Sequence, residues 1–268
     1  MSDFSADWLT LREPYDTRAR NRDVLDAVAK SMSRFPSLSI VDLACGTGST
    51  LRALADYLPG RQNWKLVDND LGLLARAAVA THPRATVTTA AVDLARDLEA
   101  ALDGAVDLVT TSALLDLVSD RWLERLAVEV AARRLPFYAA LTYDGRLALA
   151  PTDNSDAAIL AAVGEHQRRD QGFGPALAHA AADRAITRFK TIGYSVVHGF
   201  SDWMIEPQDG EMQRAIFESW AGAAREAAHS SKDEIAAWLN RRHDALAKGT
   251  SSIRLGHVDL FATPVGLR

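Results

Sequence analysis

Cysteine is nearly missing from this sequence: Cys45 stands alone among 268 residues, so no intramolecular disulfide can form. The first five residues, Met-Ser-Asp-Phe-Ser, lack the basic and apolar regions of a secretory leader, and a reducing cytoplasm is the expected location. No apolar run comes near the roughly 20 residues that span a bilayer, so no membrane segment is expected. Positive charge is also short, with 30 Lys and Arg against 35 Asp and Glu and a net charge of -5. That balance argues against nucleic acid or an anionic membrane as the main partner and leaves a small-molecule substrate as the default. Cysteine and histidine nowhere take zinc-ligand spacing, so no metal is expected, and no Gly-x-Ser-x-Gly elbow marks a hydrolase. Repeats and low-complexity linkers are absent, which points to one domain over residues 1–268 with a full core.

What is present is a glycine turn. Residues 38–49, Leu-Ser-Ile-Val-Asp-Leu-Ala-Cys-Gly-Thr-Gly-Ser, open with a short apolar, β-branched run that reads as a strand. Leu51, Leu54, Ala55 and Leu58 follow at helical spacing, and Gly46 and Gly48 sit at the junction, where a missing β-carbon lets a ligand approach the backbone. No Gly-Lys-Ser/Thr ending follows, which removes a phosphate-binding P-loop. A dinucleotide fingerprint counted from Gly46 needs glycine where the chain has Leu51.

An acid at a strand end, Asp42, followed by Ala44-Cys45-Gly46-Thr47-Gly48, resembles the first motif of class I S-adenosylmethionine-dependent methyltransferases, with Ala44 where that family usually has glycine. Residues 64–68 read as a second strand ending in Asp68, twenty positions after Gly48, where a doubly wound fold places a ribose-binding carboxylate; Asn69 lies beside it. The resemblance implies S-adenosylmethionine as cofactor and S-adenosylhomocysteine as product. It puts Asp42, Ala44, Gly46 and Gly48 around the methionyl part, and Asp93 with Leu94, after a third strand, at the adenine. A fourth strand over residues 106–111 resembles the family's "FDLV" strand; Ser112 leaves its carboxyl end, and the loop there, carrying Asp116, faces the transferred methyl group in that family.

Ahead of the glycine turn, residues 8–20 are too polar and aromatic for plain core, and Tyr15 or Arg20 is expected to cap the cofactor; a helix over residues 21–34 follows, ended by Pro36. A fifth strand over residues 137–143 is followed by a hairpin-like Gly145-Arg146-Leu147, a helix around Ile159 and a Gly- and Pro-containing segment, residues 166–175. Strand and helix alternate five times, which predicts a parallel sheet with ligands at the carboxyl ends of the strands. The expected fold class is α/β, a doubly wound, mostly parallel seven-stranded sheet with helical insertions after strands 5 and 6, at residues 144–182 and 202–249, and an N-terminal helical cap at residues 1–36. At the end of the fifth strand and in the insertions, Tyr143, Asp144, Phe173 and Trp203 are the candidate substrate residues. Asp116, Tyr143 and His166 are the candidates for catalysis, as groups that position an acceptor or take its proton. The expected function is methyl transfer to a small molecule at O, N or C. The alternative is a non-catalytic S-adenosylmethionine-binding or regulatory partner with the same fold.

Overall fold

In a computed structural model, the described residues are 5–227 and 231–266. Residues 1–4 of the expected cap and 228–230 of the second insertion lie outside them. Two helices come first, α1 (Ala6–Ala19) and α2 (Arg22–Met32). Asn21 caps α2 by accepting from the Val24 amide, and Val24, Leu25, Val28 and Met32 form its buried stripe. Next come β1 (Ser37–Leu43), α3 (Ser49–Leu54), β2 (Arg61–Asp68), α4 (Leu71–Ala77), β3 (Ala85–Ala91), α5 (Leu98–Ala101) and β4 (Leu108–Ser112). A 3-10 turn, Leu115–Leu117, leads into α6 (Asp120–Ala132), capped by Ser119, and then β5 (Phe137–Ala150). The remaining elements are α7 (Asp156–Gln167), α8 (Ala181–Thr191), β6 (Tyr194–Phe200), β7 (Trp203–Ile205), α9 (Gly210–Ala227), α10 (Lys232–Ala247) and β8 (Ser252–Pro264).

The strands form one sheet in the order β3-β2-β1-β4-β5-β8-β6. The pairs from β3 to β5 are parallel, and β8 runs antiparallel to both β5 and β6. This is the expected doubly wound sheet, with the order reversing between β1 and β4, where such sheets open a crevice. Two details differ from the expectation. An eighth strand, β7, pairs with β8, so Trp203 opens a strand instead of leaving one. Moreover, β5 runs unbroken to Ala150, absorbing the expected hairpin at Gly145. Both follow from the length of β8, which reaches back to Ser252 and offers pairing partners to β7 and to the far half of β5.

The β5–β8 ladder carries two bulges. Ala140 and Leu141 together face Asp259, and Asp144, Gly145 and Arg146 together face Gly256. Tyr143 and His257 are register partners between them. Bulges of this kind bend a strand and re-aim its side chains. The Asp259 carboxylate accepts from the Leu141 amide at 2.8 Å, while Asp144 accepts from the Arg146 amide at 3.0 Å, so both irregularities satisfy their own backbone donors.

Two hydrophobic cores lie on the two faces of the sheet. A third joins α7, α9 and α10 to β7 through Ile159, Ile216, Phe217, Trp238 and Trp203, with Trp8 and Tyr15 of α1 packed against it. These helices come from the two insertions and roof the end of the sheet beside β5. Among the described residues no helix is long and apolar enough to cross a membrane.

Candidate active site

The turn after β1 is held by short backbone contacts: the Cys45 amide donates to Val67 O at 2.9 Å and the Gly48 amide to Cys45 O at 2.8 Å. Gly46 and Gly48 have φ of +54° and +83°. A β-carbon on Gly46 would also stand 3.1 Å from Leu9 Cδ1, so the turn is pressed beneath α1. Ala44 occupies the same left-handed region at φ 52°, where an L side chain is strained. Replacing Ala44 by Gly is therefore expected to raise stability by about 1 kcal/mol, and thermal melting should show a midpoint higher by about 2–4 °C.

Asp68, at the end of β2, binds the turn directly. Its Oδ2 accepts from the Gly46 amide at 2.8 Å and its Oδ1 from the Asp70 amide at 3.0 Å; Asp70 in turn caps α4. Asp42 lies below, fully buried, with Thr110 Oγ1 donating to its Oδ1 at 2.8 Å. Burial pushes its pKa up to about 7, against the pull of Thr110 and the Arg20 guanidinium.

Two cavities open at the carboxyl ends of the strands. The first, about 330 Å³, is lined by the glycine turn, by Asp68, Asn69 and Asp70, by Val92 and Leu94, and by Leu9, Arg12 and Asp16 of α1. The second, about 1110 Å³, lies under the inserted helices, and the two share Arg12, Ala113, Leu117 and Gln171. Arg12 is the hinge of the arrangement: its Nε and Nη2 donate to Asp16 at 2.9 and 3.2 Å, and its guanidinium stacks 4.9 Å from the Trp203 ring centre.

Residues 40–135 match a family model described as a methyltransferase domain, covering the turn, Asp68 and the strands through β4. That stretch of the chain is similar to a methyltransferase domain. No curated protein matches it. Among solved structures it is similar to the cyclopropane synthase MmaA2 from Mycobacterium tuberculosis, at 12% identity and a TM-score of 0.51, over 97% of this chain and 95% of that one. It is also similar to a cyclopropane-fatty-acyl-phospholipid synthase-like protein from Lactobacillus casei, at 16% identity and a TM-score of 0.54, over 96% and 93%. At such identities the likeness concerns the fold.

A methyltransferase domain of this kind draws its methyl group from S-adenosylmethionine. The residues present fit it. Carboxylates from Asp16, Asp68 and Asp70 outnumber the one guanidinium, Arg12, around the first cavity, which suits a ligand bearing a sulfonium and an ammonium group. The glycine turn supplies the close backbone approach.

Of the residues expected at the cofactor, Ala44, Gly46, Asp68, Asn69, Leu94 and Ser112 line the first cavity. Asp42, Gly48 and Asp93 are not among its lining residues. Asp42 and Gly48 build the turn from behind. Asp93 turns its carboxylate to the Ala95 amide at 3.0 Å and to Arg96, holding the bend after β3. Phe173, expected at the substrate, lines the first cavity and packs edge-on against Trp122 at 5.2 Å. Asp116, Tyr143, Asp144, His166 and Trp203 all line the second cavity. Asp144 is engaged there by Arg146, which also pairs with Asp202, and His166 pairs with Glu226 at 3.2 Å.

Neither Tyr15 nor Arg20 lines either cavity. Arg20 is buried, donating to the Tyr138 hydroxyl at 3.1 Å and to Ser112 Oγ at 3.4 Å, and Tyr15 packs 6.2 Å from Trp203. From α1 it is instead Arg12 and Asp16, one helical turn apart, that line the first cavity, together with Leu9. His257 is the other residue that sequence reasoning passed over. It lines the second cavity, 4% exposed, between Tyr143 and Trp203 at 6.3 and 5.2 Å. Burial and the nearby Arg12 charge lower its pKa to about 3, which holds the ring neutral at neutral pH. For Asp116, burial raises the pKa to about 6, and its Oδ1 has no hydrogen-bond partner among the described residues.

Proposed function

We propose that this methyltransferase transfers the methyl group of S-adenosylmethionine to a small-molecule acceptor held in the second cavity. The observation that carries this reading is the junction of the two cavities at Arg12, Ala113, Leu117 and Gln171, with Asp116 beside it. Bound S-adenosylmethionine supplies an electrophilic methyl group on a positively charged sulfur. The protein's task is to align an acceptor with that group and keep water away.

In this reading the glycine turn and Asp68 hold the amino-acid and ribose parts, Leu94 with the backbone beside it the adenine, and Phe173 closes over the cofactor. Asp116 takes the acceptor's proton. Its pKa of about 6 leaves it ionised at neutral pH yet basic enough to share a proton. His257 is too acidic as an imidazolium to store one, and His166 pairs with Glu226. His257 instead contributes a neutral hydrogen-bonding wall, with Tyr143 opposite. The inserted segments form the acceptor's roof, and the whole chain works as one unit in the cytoplasm, with nucleic acid disfavoured by its net charge of -5.

Incubation with S-adenosylmethionine and a broad set of small molecules, followed by mass analysis, should show S-adenosylhomocysteine together with a product heavier by one methyl group. Cofactor consumption without a methylated small molecule would reject the reading. Asp68→Ala should weaken S-adenosylhomocysteine binding by about 1–3 kcal/mol in calorimetry, because a charge-assisted bond is lost and the glycine turn loses its anchor. An unchanged affinity would take Asp68 out of the cofactor site.

A further inference from the structure

We propose that the acceptor is an aromatic hydroxyl compound of more than one ring, bound with its oxygen between Arg12 and Asp116. This rests on the methyl-transfer reading above and names the substrate class for that site.

The body of the acceptor follows from the walls of the second cavity. Trp8 and Trp220 line it with Leu160 and Ile216, while Trp203 sits buried beneath, with Arg12 stacked on its ring. Such walls favour a flat apolar ligand, by stacking and edge contacts as well as by area. At about 1110 Å³ the cavity is also larger than one ring requires.

The reacting group follows from the charges at the junction. Arg12 is 9% exposed and lines both cavities. Asp16 occupies its Nε and Nη2, and Nη1 has no hydrogen bond among the described residues. A nine-tenths buried guanidinium with a donor to spare favours an oxygen that becomes negative. Asp116 lines the same cavity, and its buried Oδ1 has no partner among the described residues, so the carboxylate suits a group that arrives carrying a proton. An aromatic hydroxyl meets both needs. A phenol ionises near pH 10, within reach of a carboxylate helped by a guanidinium, whereas an aliphatic hydroxyl near about 16 is not. An aliphatic amine is a cation at neutral pH and is repelled by Arg12. A carboxylate brings no proton and sets a second anion against Asp116.

The step balances without a further reagent. The hydroxyl proton passes to the Asp116 carboxylate, and the oxygen electron pair forms the new O–CH3 bond. The C–S bond breaks with its electron pair left on sulfur, giving a neutral thioether, and Asp116 later releases its proton to water.

The test uses three probes with one bicyclic body: 2-naphthol, 2-naphthoate and 2-naphthylmethylamine. Calorimetry first establishes that the full chain binds S-adenosylhomocysteine, and each probe is then titrated into that complex. The expected result is that 2-naphthol binds at least tenfold more tightly than the other two and shows its naphtholate absorbance band near neutral pH. With S-adenosylmethionine it alone is converted to a methyl ether. The Arg12→Gln variant should lose the naphtholate band while still binding the naphthol. Tighter binding or methylation of the acid or the amine, binding of naphthol without ionisation, a naphtholate band that survives in Arg12→Gln, or binding of none of the probes would overturn the proposal and leave methyl transfer standing. Failure to bind S-adenosylhomocysteine would instead overturn the reading on which it rests.

Discussion

Replacing Asp259 by Ala is expected to lower the stability of the fold by about 3–5 kcal/mol. Asp259 is completely buried on β8 and serves three donors: the Leu141 amide in the first bulge at 2.8 Å, the Asn21 amide at 3.0 Å and the Tyr138 hydroxyl at 3.2 Å. Tyr138 also accepts from the buried Arg20. One carboxylate therefore offsets a buried guanidinium, closes a bulge and ties the α1–α2 junction to the sheet. Burial raises its pKa and the Arg20 charge opposes the rise. Truncation strands the buried Leu141 amide and the half-buried Asn21 amide, each costing about 1–3 kcal/mol, and removes one of the carboxylates that face the Arg20 charge. A urea titration of Asp259→Ala should show the loss, with cofactor affinity falling too because α1 carries Arg12 and Asp16. Glu129→Gln breaks a surface pair with Arg133 and should cost no more than about 1 kcal/mol in the same titration. Equal losses in the two variants would show that the Asp259 network carries no special weight.

Asp116→Asn is expected to lower kcat by about 10²–10⁴-fold with cofactor affinity unchanged, the signature of a lost proton acceptor. The side chain keeps its shape, so the comparison isolates basicity. The pH dependence fixes the sign. The working form is the carboxylate, and burial holds the group's pKa at about 6. For the wild type with 2-naphthol, kcat/KM should climb as pH rises through about 6 and level off above it, while the variant should lack that rise. A variant that keeps more than about a tenth of kcat, or a wild-type profile flat from pH 5 to 7, would assign the proton elsewhere.

The doubly wound sheet, the glycine turn and Asp68 were legible because they rest on local signals: a strand run, a helical stripe and fixed spacing between them. Arg12 and Asp16 were not, because the apolar side chains of α1, such as Trp8, Leu11 and Tyr15, point to a packing face, whereas the most buried positions of the helix hold an ion pair. His257 reads as an ordinary strand residue until the two bulges of β5 set it opposite Tyr143, and bulge positions depend on pairing across more than 100 residues of chain. The three-residue strand at Trp203 is too short for a period to be read, and only the length of β8 creates it. Arg20 shows the limit from the other side. Its place near the start of the chain suggested a cap, and the structure buries it beside Tyr138, where it supports Ser112 from behind.

Everything proposed for this protein requires a cofactor held by the glycine turn and Asp68 in the smaller cavity. Calorimetric titration of the full chain with S-adenosylmethionine tests that requirement most directly. One site per chain is expected, with a Kd in the micromolar range, roughly 1–100 μM, weakened at least fivefold in Asp68→Ala. Absence of binding to the wild-type protein, or binding that Asp68→Ala leaves untouched, would contradict it.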